Sequence, residues 1–269
     1  MSAGGTSTST PRGVAPLWGF LGIAGAAGWA VTVTTAQAMG VGPGTMDMGA
    51  GPFGGMWVAM MAAMMLPAIG IPAARAGLRA GSGAASRVTR TLGFGAGFLV
   101  PWVAFGAVAF AALEATEHLV ASAPDAARWL GVGIVGIAAA YQLSPWKQRA
   151  LEHCRASMAS HGGAFASGLR DGAVCVGCCW ALMSVLVATG IMSLPAMAGL
   201  AAVIFAEKVL PRPRLIARLA GATLLALAVA SAFAPSLLAG VRAEGADMPA
   251  HVPPPAEMPA EMDAPMGGM

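Results

Sequence analysis

Residues 172–192 read GAVCVGCCWALMSVLVATGIM, with no charged residue in the stretch. A helix needs about 20 apolar residues to cross the hydrocarbon core of a bilayer, so this run is long enough to do so. Similar runs occupy 16–38, 54–74, 92–113, 129–146, 194–210 and 215–238. The run at 194–210 is short and reads as strongly tilted or re-entrant. The chain of 269 residues is 57% hydrophobic and 10% charged, whereas a soluble domain carries about 25% charged residues. Its mean hydropathy is +0.71. The expected fold is all-α, a polytopic transmembrane bundle of about seven helices. The 37 glycines fit helices whose backbones approach closely. TTAQAMG, residues 34–40, offers a small-x-small cleavage pattern ending at Ala38. The first run is long for a signal segment, and the expectation is an uncleaved helix; cleavage would leave six spans.

The charges orient these spans. Arg12, Arg75, Arg79, Arg87, Arg90, Lys147, Arg149, Arg155, Arg170, Lys208, Arg212, Arg214 and Arg218 fall on one side, which is 13 of the 15 basic residues. Only Arg128 and Arg242 fall on the other. The positive-inside rule makes the crowded side cytoplasmic, with the N-terminus inside and the C-terminus in the periplasm. Residues 1–13 form a Ser/Thr/Gly tail, 14–238 the membrane domain, and 239–269 a tail rich in Met, Pro and acid. Neither tail has a periodic apolar face, and both are expected to be disordered. The partner implied throughout is the lipid bilayer, with localisation in a bacterial inner membrane as a multi-pass protein. A net charge of +3 gives no reason to expect nucleic acid. No G-x-x-x-x-G-K-[ST] phosphate loop is present, so ATP-driven pumping within the chain is not expected, nor is an enzymatic role.

On this topology sulfur is sorted by side. Of 18 methionines, 15 fall outside or in the outer half of a span. They include Met46 and Met48, which flank Asp47 in an outer loop. Met56, Met60, Met61, Met64 and Met65 are spaced to share a helix surface. Five more lie in the C-terminal tail. All four cysteines fall at the inner side. Thiolate and thioether both suit Cu(I), and thiols outside the cytoplasm tend to oxidise, so cysteine inside and methionine outside would suit a protein that handles Cu(I). The plainer reading of scattered methionine is apolar filler.

Cys175 stands one helical turn from both Cys178 and Cys179, so three sulfurs can converge at the inner mouth of their span. Met183 follows Cys179 by one turn. His153 and Cys154 lie in the preceding loop, and Cys with His is an accepted donor set for soft metals. Glu207 and Lys208, at the inner end of the sixth span, read as snorkelling charges, as partners of each other, or as groups that neutralise a metal site. Tyr141, Gln142 and Lys147 read as a cytoplasmic cap on the fourth span, which Pro145 ends.

Four segments carry a resemblance: MWVAMMAAMMLP (56–67), YQLSPWK with EHCR (141–147, 152–155), GAVCVGCCWALM (172–183) and FAEKVLP (205–211). In that order they resemble a bacterial family of predicted metal-binding integral membrane proteins, classed as a domain of unknown function. The resemblance covers roughly 54 to 235. It implies a metal, with copper the candidate, and matches Cys154, Cys175, Cys178 and Cys179 to the family's cysteines. Glu207 and Lys208 match its charged pair. A further family cysteine would fall at Ala150, so a site that needed it is altered here.

The reading that follows is a membrane protein that binds a soft metal, Cu(I), for transfer across the membrane or delivery to a cuproenzyme or a periplasmic copper carrier. The inner site would comprise Cys175, Cys178 and Cys179 with Cys154, His153, Met183 and Glu207. The outer site would comprise Met46, Asp47, Met48, Met56, Met60, Met61, Met64 and Met65. Two alternatives stand beside it: a structural or assembly subunit of a membrane complex, and a membrane thiol oxidoreductase relaying electrons between Cys178 or Cys179 and Cys175.

Overall fold

A computed structural model describes residues 14–39, 45, 48–78, 83–157, 163–234, 237–238 and 241. The expectations for most of the two tails, and for Met46 and Asp47, lie outside these residues. Among the described residues the fold is all-helical, without strands. Eight helices follow in order: α1 (Val14–Met39), α2 (Ala50–Leu78), α3 (Ala84–Ser122), α4 (Pro124–Leu143), α5 (Pro145–Ser157), α6 (Ala164–Thr189), α7 (Leu194–Val209) and α8 (Pro213–Phe233). Among the described residues, five segments are long and apolar enough to cross a membrane: Ala50–Ile69, Ala85–Ser122, Pro124–Leu143, Ala164–Thr189 and Pro213–Phe233.

The expectation of about seven helices is corrected by α5. This helix has 13 residues, too few and too polar for a search for long apolar runs to find. Pro145 does end α4, but it also opens α5, where its missing N–H costs no hydrogen bond. Ser144 serves both helices. Its N–H donates to Tyr141 O at 3.0 Å, and its Oγ accepts the Lys147 N–H at 3.2 Å, as an N-cap does. Lys147, Leu151 and Cys154, spaced i, i+4 and i+7, turn inward, while Trp146, Arg149, Glu152 and His153 face out.

α3 and α6 each begin eight residues before the expected start. α3 has 39 residues, which at 1.5 Å per residue is about 58 Å, against a hydrocarbon core of about 30 Å. It therefore carries Arg87 and Arg90 at one end and Glu114, Glu117 and His118 at the other. α6 begins at Ala164 rather than near 172, and Cys175 lies eleven residues inside it, not at its mouth.

Small residues set how these helices meet. A Cβ on Gly168 would stand 2.1 Å from Phe94 O, one on Gly172 2.4 Å from Phe98 O, and one on Gly97 2.2 Å from Phe165 O. α3 and α6 thus run in the same direction with backbones in contact. α2 runs antiparallel to α3, as shown by the Phe53–Phe110 ring contact and by the Trp57 indole N–H, which donates to Trp102 O at 2.8 Å. Gly190, at φ 92°, turns the chain at the end of α6 so that α7 returns alongside it. α7 has 16 residues, about 24 Å at helical rise, and is not among the five candidate spans.

Candidate metal centre

Positions i, i+3 and i+4 of α6 place the sulfurs of Cys175, Cys178 and Cys179 within 4.8 Å of one another. The three residues are at most 1% exposed, and all are free thiols. Cys178 Sγ lies 3.3 Å from Cys179 Sγ and donates to Cys175 O at 3.3 Å. A fourth sulfur arrives from α5. The Cys154 thiol is in hydrogen-bonding contact with Cys175 and Cys178. Those contacts, with Lys208 nearby and against the opposing effect of burial, hold its pKa down at about 3.

Charged side chains enclose the thiols. Lys208 donates to Cys175 Sγ at 2.8 Å. Lys147 Nζ donates to Cys178 O at 2.7 Å and pairs with Glu207 Oε2 at 2.7 Å. Gln142 donates to the other Glu207 oxygen. Arg155 donates to the carbonyls of Glu207 at 2.8 Å and Lys208 at 2.6 Å, satisfying acceptors that the end of α7 would otherwise leave unpaired. Tyr141 OH donates to Gly177 O at 2.6 Å. Burial, the largest single influence, lowers the Lys147 pKa, but the electrostatic effects of Cys179 and Glu207 outweigh it and raise the pKa.

This arrangement corrects the plain readings of the charges. Glu207 and Lys208 do not snorkel, being 1% and 5% exposed, and Glu207 pairs with Lys147 rather than with Lys208. Gln142 and Lys147 are fully buried and form part of the wall of the thiol cluster rather than a cap facing water. Both Glu207 oxygens are taken, so the residue supports Lys147 before it could serve as a ligand. Sequence reasoning left Gln142, Lys147 and Arg155 out of the site. The signals for them were that they are polar residues bordering apolar runs and that they stand in the YQLSPWK and EHCR segments that carry the resemblance.

The remaining candidates divide. His153 is exposed on the outer face of α5, away from the inward-facing Cys154. Met183 is 1% exposed, and its position one turn after Cys179 leans its side chain back toward that residue. Met56, Met60, Met61, Met64 and Met65 are at most 6% exposed and belong to the same continuous core as the four cysteines. Met48 is half-buried against that core.

All the donors gathered here are soft, and the cluster is closed to water. Thiolate and thioether donors of this kind suit Cu(I). A family model described as PpoB2, copper chaperone, matches residues 54–231. No curated protein and no solved structure matches the chain.

Proposed function

Since the chain belongs to the PpoB2 copper chaperone family, we propose that it is a membrane copper chaperone whose cargo is Cu(I), held at Cys175, Cys178 and Cys179 with Cys154 as a fourth thiol. The observation that carries this reading is the convergence of three buried free thiols within 4.8 Å, beside a lysine ammonium 2.8 Å from one of them. Burying a charge is costly unless it is paired, and Lys208 supplies a partner for a thiolate in the absence of metal. The chain would sit in a bacterial inner membrane with its N-terminus in the cytoplasm. The Met-rich tail of 239–269 would lie in the periplasm and hand copper to a cuproenzyme or a periplasmic carrier. The charge distribution along the sequence supports that orientation.

The test is metal content. The full chain, purified anaerobically from copper-supplemented cells, should carry copper, and a Cys175→Ser/Cys178→Ser/Cys179→Ser variant that folds normally should lose it. A metal-free wild type would leave the cysteines as packing and turn the reading to a structural subunit.

A further inference from the structure

The cysteines and the α2 methionines are not at opposite ends of the bundle. α3 is the ruler. Gly172 of α6, one turn before Cys175, lies against Phe98 of α3, which puts Cys175 about level with Pro101 and Trp102. Trp57 of α2, one turn before Met60 and Met61, reaches Trp102 O. Helical side chains lean toward the N-terminus of their own helix, so the Met60 and Met61 thioethers lean back along α2 toward the level of Trp57. Sulfur from α2 and sulfur from α6 therefore stand at the same depth, to within about one 5.4 Å turn. Met60, Met61, Cys175 and Cys179 are each 0% exposed and belong to one continuous buried cluster. α2 also packs against α7, which carries Lys208, and touches α6.

We infer that the Met60 and Met61 thioethers, with Met183, belong to the same Cu(I) chamber as the α6 thiolates, and are not a second site on the far side of the membrane. The inference rests on the proposed copper-binding role and adds a ligand class and a route to it. Copper moves between thiolate and neutral thioether at one depth. Its uptake and release then occur from one interior chamber, which suits holding and delivery rather than conduction through the bilayer. Thioethers also moderate the charge of the site, because each adds a soft donor without adding a negative charge to a buried cluster.

Selenomethionine makes the test direct, since selenium marks every thioether and no thiol. The labelled full chain is loaded anaerobically with Cu(I) below one equivalent, so that the tightest site fills first, and copper-edge X-ray absorption is recorded. The inference expects both sulfur and selenium around copper. It expects the selenium signal to fall by at least half in a Met60→Leu/Met61→Leu/Met183→Leu variant. Met→Leu nearly conserves volume, a change cores tolerate. A Met192→Leu/Met197→Leu control should keep the signal. Copper surrounded by sulfur alone overturns the inference while leaving the thiol site intact. Selenium that persists in the triple variant assigns the thioethers elsewhere and also overturns it. No copper in the labelled wild type overturns the underlying copper reading, and this inference with it.

Discussion

Lys208 Nζ and Cys175 Sγ are 2.8 Å apart, the one on the last turn of α7 and the other in the middle of α6. The contact joins a cation to a thiol where neither meets water. Lys208→Met should leave the cluster either as uncompensated buried charge or with a proton that copper must displace. Its Cu(I) affinity at neutral pH should fall about tenfold or more, the factor that 1.4 kcal/mol represents. Competition with a chromophoric Cu(I) chelator measures this, and Lys208→Arg should recover part of the loss.

Lys147 and Glu207 form a second buried pair, 0% and 1% exposed. Removing one partner of such a pair costs about 3–5 kcal/mol, and replacing both with apolar residues much less. Lys147→Met and Glu207→Gln should each lower the thermal midpoint in detergent sharply. Lys147→Met/Glu207→Met should regain much of the loss.

Cys154 predicts a pH dependence. Its pKa drops from an ordinary value of 9.0 to about 3 in the folded chain. The folded state therefore binds fewer protons at this thiol than the unfolded state does between those values. The stabilisation is complete above the unfolded pKa and is lost as pH falls toward the folded one. The difference in unfolding midpoint between the wild type and Cys154→Ala should shrink steadily from pH 8 to pH 5. A constant difference would place the value of Cys154 in packing alone.

The seam between α3 and α6 gives a steric prediction. A methyl on Gly172 would meet Phe98 O at 2.4 Å, and relieving such overpacking typically costs about 1–3 kcal/mol. Gly172→Ala should reduce both the yield of folded protein and its copper content. Gly177→Ala, five residues on and with nothing within 4 Å of the added carbon, should be silent.

The long apolar runs could be read because lipid demands them: α1 and α8 are near where their composition puts them, and Cys175, Cys178 and Cys179 meet because 3.6-residue periodicity requires it. α5 could not be read in the same way. Its inward positions are Lys147, Leu151 and Cys154, and a lysine heading a buried stripe runs against hydrophobic patterning until Glu207, 60 residues away in sequence, is seen to pair with it. The common depth of Met60 and Cys175 was hidden for another reason. Counting residues from the ends of apolar runs misplaced the start of α6 by eight residues, because Arg170 and Asp171 read as loop although they continue the helix.

Arg155 follows Cys154 directly, and its guanidinium grips the carbonyls of Glu207 and Lys208. The short helix that supplies the fourth thiol is thereby hitched to the end of the helix that supplies the ammonium. The Cys154 thiol and the Lys208 ammonium are thereby tied into one unit, so that any displacement of α5 would carry thiol and counter-charge together.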